Sequence, residues 1–168
     1  MAETESKTQV LLARLVVVVV AALVVLGLIW YGFSAEVHQR IWKDILDRPG
    51  GPMWFRFILQ PVMAAIAALY DGIKDARLGR DPYLWTILTN RQESAGRVRE
   101  GVLATGRIIL LGLGMDAVYQ ATVLKTYYPG EMVLIAVLLA FVPYLLLRGP
   151  SARIARWWMT RKSAGSAP

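Results

Sequence analysis

The stretch that decides the fold is residues 15–33, LVVVVVAALVVLGLIWYGF, which contain no charged residue. At a rise of about 1.5 Å per residue, a helix of this length matches a hydrocarbon core about 30 Å thick. A cleavable signal peptide is the rival interpretation, but the run exceeds the usual apolar region of about 7–15 residues, and Phe33-Ser34-Ala35 lacks small residues at both recognition positions. Because lipid requires backbone hydrogen bonds to close within the segment, we predict a retained transmembrane helix.

The composition extends this interpretation to the whole chain. Its 168 residues are 56% hydrophobic and 18% charged, with no Cys and a formal net charge of +7. These values exclude a disordered, collagenous or disulfide-stapled protein, and they are too apolar for an ordinary soluble domain. We predict an all-α integral membrane protein with a single membrane domain over residues 1–168.

A transmembrane hairpin is predicted nearer the C-terminus. Its arms are residues 101–124 and 132–147, and the connecting sequence KTYYPGE, residues 125–131, combines a Pro-Gly turn signal with two tyrosines suited to the headgroup level. We expect Pro143 to kink the second arm and the RGP sequence at residues 148–150 to end it. Residues 148–168 then form a basic cytoplasmic tail.

The distribution of Lys and Arg predicts the orientation, because basic residues are retained on the cytoplasmic side. The hairpin loop holds only Lys125, whereas the segments on both sides of the hairpin are strongly basic. The loop should therefore lie outside and the C-terminus in the cytoplasm. Retention of basic residues on the cytoplasmic side explains the positive charge without nucleic acid, and attraction to anionic headgroups accompanies it. The residues predicted to contact headgroups or a docking partner are Lys74, Arg77, Arg80, Arg153 and Arg156.

Residues 53–73 are ambiguous, because charges and a Gln-Pro pair surround an apolar run of only about 14 residues. A run that short more often re-enters or lies in the interface. We therefore prefer three transmembrane helices with amphipathic or re-entrant interfacial helices over residues 34–100 on the cytoplasmic side. Four transmembrane helices are the alternative, which splits the tryptophans between two belts. That alternative moves four basic residues outside, namely Arg40, Lys43, Arg48 and Arg56.

Residues 34–48 predict an amphipathic helix. Apolar residues recur every four positions, and Ser34 is suited to cap its first turn. Opposite charges stand four residues apart along the polar face, as in Asp44 and Arg48, so we expect ion pairs there. The Pro-Gly-rich sequence that follows should break the helix.

One polar stripe crosses the first arm of the hairpin. At 100° per residue, Thr105, Gly112, Asp116 and Gln120 fall close to one line. Asp116 must face protein or water, or be protonated, because an ionised Asp at a bilayer centre costs about 2.5–3.5 kcal/mol. A proton- or cation-handling role is one hypothesis for it. A structural hydrogen bond is the other, under which Asp116→Asn should preserve or improve stability.

The sequence predicts no catalytic residues, no metal site and no cofactor. His38 is the only histidine and has no second ligand at helical spacing. A membrane-interface lipid enzyme would require interfacial residues to converge, and their spacing gives no reason to expect it. The residues concerned are His38, Asp44, Asp71 and Asp75.

Three further stretches resemble segments of small uncharacterised inner-membrane proteins of proteobacteria. They are FRFILQP at residues 55–61, DGIKDARLGRDPY at residues 71–83 and PYLLLRGP at residues 143–150. The resemblance implies a bacterial inner-membrane location and no assigned activity. The predicted function is a non-enzymatic accessory or scaffold subunit of an inner-membrane assembly, with a protein partner or homo-oligomer. A proton- or cation-coupled transport component using Asp116 is the alternative.

Overall fold

A computed structural model of the chain describes residues 7–164, and the described part contains only helices and the turns between them. The elements are α1 (Lys7–Tyr31), α2 (Ala35–Asp47), a 3₁₀ turn (Arg48–Gly50), α3 (Arg56–Arg77), α4 (Tyr83–Thr89), α5 (Arg91–Tyr119), a π-helical turn (Gln120–Leu124) and α6 (Pro129–Ala164). Four of them, α1, α3, α5 with its π turn, and α6, are long and apolar enough to cross a membrane.

Local sequence signals account for several helix boundaries. Ser34 caps α2, where its hydroxyl accepts a hydrogen bond from the Val37 amide at 3.3 Å, as predicted. Gly32 after α1 and Gly79 after α3 have φ of +68° and +64°, a conformation that glycine adopts without steric cost. Lys125, which follows the π turn, has φ of +56° and ends the run of helix.

The long helices pack around α6. This helix contacts α3 and α5 extensively and α1 to a lesser degree, whereas α1 lies at the edge of the bundle against α5 and α6. The course of the chain makes α1 and α5 run in one direction and α3 and α6 in the other. We call the two ends the α2 end, which also holds the 125–128 loop, and the α4 end, which holds the start of α1.

Small residues allow the helices to approach closely. Ala64, Ala68, Ala136 and Ala140 are fully buried in the core between α3, α5 and α6. A methyl group built on Gly72 would lie 2.6 Å from the Ser151 Cβ, so α3 and α6 are nearly in backbone contact there. Such small-residue contacts are typical of helices that associate within a bilayer, where the hydrophobic effect does not drive them together.

The segment at residues 53–73 forms neither a short interfacial piece nor a re-entrant turn. From Arg56 onward it is part of α3, which continues for 22 residues through Pro61. Pro61 is the sixth residue of the helix, so most of α3 follows it and keeps its backbone hydrogen bonds. The described part therefore holds four helices that are long and apolar enough to cross a membrane, whereas the preferred arrangement needs only three.

The position of the 125–128 loop also differs from the three-helix expectation. That expectation placed residues 34–100 on the side of the membrane opposite this loop. Instead, the Tyr31 hydroxyl at the end of α1 donates a hydrogen bond to the Tyr127 carbonyl at 2.7 Å. The guanidinium of Arg40 in α2 lies 3.7 Å from the ring centroid of Tyr128. The loop, the end of α1 and α2 therefore share one end of the bundle.

The predicted end of the last helix at residues 148–150 is wrong. α6 continues through Pro143 and Pro150 to Ala164. Tertiary contacts outweigh the helix-breaking sequence, since Arg148 is buried in ion pairs and Ala152 packs beside Gly72. Residues 148–164 of the predicted tail are thus helical, and its remaining residues lie outside the described part of the chain.

Candidate functional site

The predicted polar stripe of α5 faces the interior of the bundle. Thr105, Gly112, Asp116 and Gln120 are all buried. The Thr105 hydroxyl donates to the Gly101 carbonyl at 2.8 Å, which satisfies it within its own helix. Gly112 packs against Gln60 of α3 and Ala136 of α6. Its neighbour Gly114 has no such contact, so only one glycine of this pair serves helix packing.

Asp116 is paired with two arginines. Arg56 at the start of α3 donates to its Oδ1 at 2.7 Å, and Arg48 from the turn after α2 contacts the same oxygen. Arg48 also pairs with Glu131 in the first turn of α6. All four side chains are buried, so two positive and two negative charges compensate one another. We call these residues together with Gln120 the Asp116 cluster.

Gln120 connects the cluster to the hairpin loop. Its amide nitrogen donates to the second Asp116 oxygen at 2.8 Å, and its amide oxygen accepts from the Tyr128 N–H at 2.7 Å. Gln120 is also the first residue of the π-helical turn. Such turns widen the helix locally and are frequent at functional sites. The loop is thereby fastened to the same carboxylate that holds α2 and α3.

The Asp116 cluster contains buried polar atoms that have no hydrogen-bond partner among the described residues. On the donor side these are the Nε atoms of Arg48 and Arg56 and one terminal nitrogen of Arg56. On the acceptor side they are Gln60 Oε1, which lies beside the cluster, and Glu131 Oε2. Donors and acceptors without partners therefore lie together in one buried place, which is uncommon in folded proteins.

The arginine partners of Asp116 were missed by sequence reasoning. It placed Arg48 on the polar face of an interfacial helix opposite Asp44, and it treated Arg56 as a reason to doubt a span. Both side chains are 1% exposed and point into the bundle. The sequence does carry one signal of this pairing. One apolar segment contains an Arg and another an Asp, and these charges compensate each other when the two segments pack together.

A second ion-pair cluster closes the α4 end. Arg148 of α6 donates to both oxygens of Asp75, at 2.7 and 3.0 Å, and to Glu100 at 2.8 Å. Arg97 of α5 reaches the same two carboxylates at 3.1 and 3.3 Å. Bidentate pairing of this type is among the strongest hydrogen-bonding arrangements. This group, the Asp75 cluster, links α3, α5 and α6.

Two tyrosines cover the Asp75 cluster. The Tyr144 hydroxyl donates to Asp71 at 2.6 Å and accepts from Arg148 at 2.7 Å. Tyr83 at the start of α4 donates to the Arg97 carbonyl at 2.6 Å, which ties the short helix to α5. Burial raises the pKa of Tyr83 to about 12, so its phenol stays protonated and remains a donor at neutral pH.

The residues predicted to meet headgroups are divided by the structure. Lys74, Arg77 and Arg153 are exposed at the α4 end. Arg80 pairs with Glu100 at 3.1 Å and therefore also belongs to the edge of the Asp75 cluster. Arg156 is partly buried and donates to the Ala152 carbonyl of its own helix at 3.5 Å.

The residues considered for interfacial catalysis do not converge. His38 and Asp44 lie on α2, whereas Asp71 and Asp75 lie at the far end of α3. The His38 ring contacts the Ser34 carbonyl at 3.0 Å and packs edge-on against Phe33. Within residues 7–164 no group of three or more His, Asp or Glu side chains is placed to hold a metal ion.

Comparison with protein families, curated proteins and solved structures finds no match to this chain.

Proposed function

We propose that the protein is a non-enzymatic accessory or scaffold subunit of a bacterial inner-membrane assembly. The proposal rests on the way the buried acidic side chains are paired. Asp116, Glu131 and Asp75 are each engaged by arginines from other parts of the same chain. Groups paired in this way fix the positions of helices, which is the task of a structural subunit.

We propose further that all four long helices cross the membrane, with the α4 end in the cytoplasm. The Lys and Arg at the α2 end are Arg40, Lys43, Arg48, Arg56 and Lys125. Arg48 and Arg56 are neutralised by buried carboxylates. A fourth span therefore places little unpaired positive charge at the α2 end, and most of the difference in charge between the two ends remains. The exposed arginines of α6 and of the α3–α5 connection remain on the cytoplasmic side.

The tryptophans support the proposed four crossings. Each is at least half exposed, as expected for side chains at the headgroup level. Trp30, Trp42 and Trp54 lie towards the α2 end, and Trp85, Trp157 and Trp158 lie towards the α4 end. Two belts on opposite surfaces are what four spans require.

The surface for a protein partner is assigned to α1. Among the residues of this helix only Ala13, Val16 and Gly27 are buried, so most of its apolar surface faces away from the bundle. A helix at the edge of the bundle can join a neighbouring protein without disturbing either ion-pair cluster. The rest of the fold then acts as the anchor that holds α1 in position.

Photocrosslinking in intact membranes tests this assignment. A benzophenone side chain is placed at Val25 on α1 or at Ile66 on α3, which are 53% and 62% exposed. We expect a discrete protein adduct from Val25, which also co-purifies stoichiometrically in mild detergent, and lipid adducts alone from Ile66. Lipid adducts alone from both positions, together with purification of a chain without partners, would contradict a scaffold role.

A proton- or cation-coupled transport component is the second candidate, and one observation favours it. Sequence reasoning found a single intramembrane acid, whereas Glu131 lies beside Asp116 and shares Arg48 with it. Two nearby acids among polar atoms that lack protein partners are features of proton pathways. The two guanidiniums weigh against it, because they hold both carboxylates in fixed pairs.

Proteoliposomes distinguish the two functions. A transport component should carry a pH-driven ion flux that Glu131→Gln abolishes in correctly assembled protein. A scaffold subunit should show no flux above that of protein-free vesicles, either as the wild type or as Glu131→Gln protein that remains folded. An ion flux that is present in the wild type and lost in Glu131→Gln would favour the transport function over the scaffold function.

A further inference from the structure

A recess lies at the α2 end, where α1 and α2 meet the first turns of α6. Its volume is about 320 Å³, at the lower end of the range of small-molecule sites in proteins. Its walls are mostly apolar and include Val24, Leu28, Ile41, Trp42 and Leu134. This volume suits one aliphatic chain rather than the two chains of a diacyl lipid.

Two charged side chains stand among these apolar walls. Glu131 of α6 lines the recess and is 1% exposed; its Oε1 pairs with Arg48, whereas its Oε2 has no hydrogen-bond partner among the described residues. Arg40 of α2 also lines the recess, and its buried Nε has no such partner either. His38 and Tyr31, which line it too, are already bonded to main-chain carbonyls. The recess therefore brings together one residue with an unused acceptor and one with an unused donor.

Arg40 and Glu131 come together beside Tyr128, which also lines the recess. The Arg40 guanidinium lies 3.7 Å from the Tyr128 ring centroid, and the Glu131 N–H donates to the Tyr128 carbonyl at 3.1 Å. The two charged groups are near enough to interact electrostatically. Since neither Arg40 Nε nor Glu131 Oε2 has a partner, the two atoms are not bonded to each other, and a polar group placed between them can satisfy both.

We propose that the recess binds a neutral long-chain alcohol. The chain lies on the apolar walls, and the hydroxyl group donates to Glu131 Oε2 and accepts from Arg40 Nε, because a hydroxyl can do both at once. A carboxylate head group would be repelled by Glu131 and an ammonium head group by Arg40. A hydrocarbon without a polar head would leave both buried atoms unpaired. The proposal adds a ligand site to the protein whether it is a scaffold or a transport component.

The test uses the full chain in phosphatidylcholine nanodiscs and a decanol that carries a photoreactive diazirine on its chain. Labelled peptides are identified by mass spectrometry, and 1-decanol, decylamine, decanoate or decane is added as a competitor at equal mole fraction in the bilayer. We expect adducts on the residues that line the recess, and we expect 1-decanol to displace the probe at a concentration about 10-fold lower than the other three need. Adducts spread evenly over the lipid-facing surfaces, or equal competition by decane, would overturn the proposal.

A matched pair of variants tests the position of the site. Val24→Trp fills the recess with a large ring, whereas Val25→Trp makes the same change at the neighbouring position, which does not line it. We expect Val24→Trp to lose most of the adduct and Val25→Trp to be labelled like the wild type. Equal labelling of the two variants would show that the alcohol does not occupy the recess.

A third variant tests the polar contacts through a change of selectivity. Arg40→Leu removes the donor and the positive charge but keeps Glu131, so 1-decanol should compete about 10-fold less well and decylamine should become the better competitor. Unfolding cannot produce this result, because it would weaken the binding of every ligand. If 1-decanol remains the better competitor in Arg40→Leu, these two side chains do not hold the head group and the proposal fails.

Discussion

The buried charges around Asp116 sum to zero only when all four charged side chains are present. Arg48 and Arg56 bring two positive charges into the bundle, and Asp116 and Glu131 bring two negative ones. Such buried pairs add little net stability compared with an apolar replacement, because desolvation opposes their attraction. Removing one member is different, since it leaves a charge without compensation.

Asp116→Asn should therefore destabilise the protein. If Asp116 had no charged partners, the substitution would only remove the cost of placing a charge in the membrane. The sequence alone therefore predicts a neutral or stabilising effect on folding. With both arginines in place, we expect a loss of about 3–5 kcal/mol in the free energy of unfolding. Denaturant titration in detergent micelles measures this loss, and Asp47→Asn on the exposed face of α2 is the control.

A second substitution shows whether charge balance is the cause. Arg56→Met in the Asp116→Asn background removes the extra cation and leaves the Arg48–Glu131 pair intact. The double variant should recover most of the lost stability. If it is less stable than Asp116→Asn alone, the arginine contributes through packing and the balance of charges is not what holds Asp116.

The sequence predicts that Asp116 is buried, but it does not predict which residues pair with it. The cost of a charge in lipid requires Asp116 to face protein, and helical spacing places Gln120 beside it. The partners depend on which helices touch. Arg48 and Arg56 lie 68 and 60 residues away along the chain, and no local pattern carries that information.

The close approach of α3 and α6 at Gly72 depends on the absence of a side chain at this position. The Ser151 Cβ lies 2.6 Å from the position that a Gly72 methyl group would take, and the Arg148 carbonyl oxygen lies 2.9 Å from it. Gly72→Ala forces two backbones apart, and we expect a loss of about 1–3 kcal/mol in thermal or chemical unfolding. Gly114→Ala, in open space on α5, should be neutral or slightly stabilising. Equal effects of the two variants would contradict close packing at Gly72.

The continuity of α6 can be measured because the chain contains no cysteine. Spin labels attached at Leu134→Cys and Ile154→Cys are separated by 20 residues, or about 30 Å along an unbroken helix. Double electron–electron resonance should give one narrow distribution of distances between the two labels, centred near about 30 Å. A shorter or broad distribution would mean that the chain turns at Gly149–Pro150, as the local sequence suggests.

Among the helices, local sequence predicted α2 and its cap well and the course of α3 and α6 poorly. Ser34 and the amphipathic period act within α2 itself, so they are visible in the sequence. Pro61 and Pro150 also act locally, but each costs only the few hydrogen bonds of one turn. Burial of neighbouring residues in a helix interface outweighs that cost, and the interface is not a local property.

The proposed crossing of four helices predicts a pattern of accessibility in intact cells. Single cysteines are placed at Gly50 and Tyr128, near the α2 end, and at Gln92, near the α4 end. An impermeant maleimide should label Gly50→Cys and Tyr128→Cys before lysis and Gln92→Cys only afterwards. Three crossings would instead protect Gly50→Cys together with Gln92→Cys, and that result would overturn the proposed topology.

The distance along the chain between the members of the Asp116 cluster also sets an order of events during synthesis. Arg48 leaves the ribosome 68 residues before Asp116 and 83 residues before Glu131. Until those acids arrive, Arg48 and Arg56 stand at the ends of α2 and α3, where long side chains can remain in interfacial water. In the proposed four-helix topology, Asp116 and Glu131 would therefore reach a membrane in which their counter-charges are already present. The arginines would leave the interfacial water only when the inserted helices associate and a carboxylate is there to pair with them.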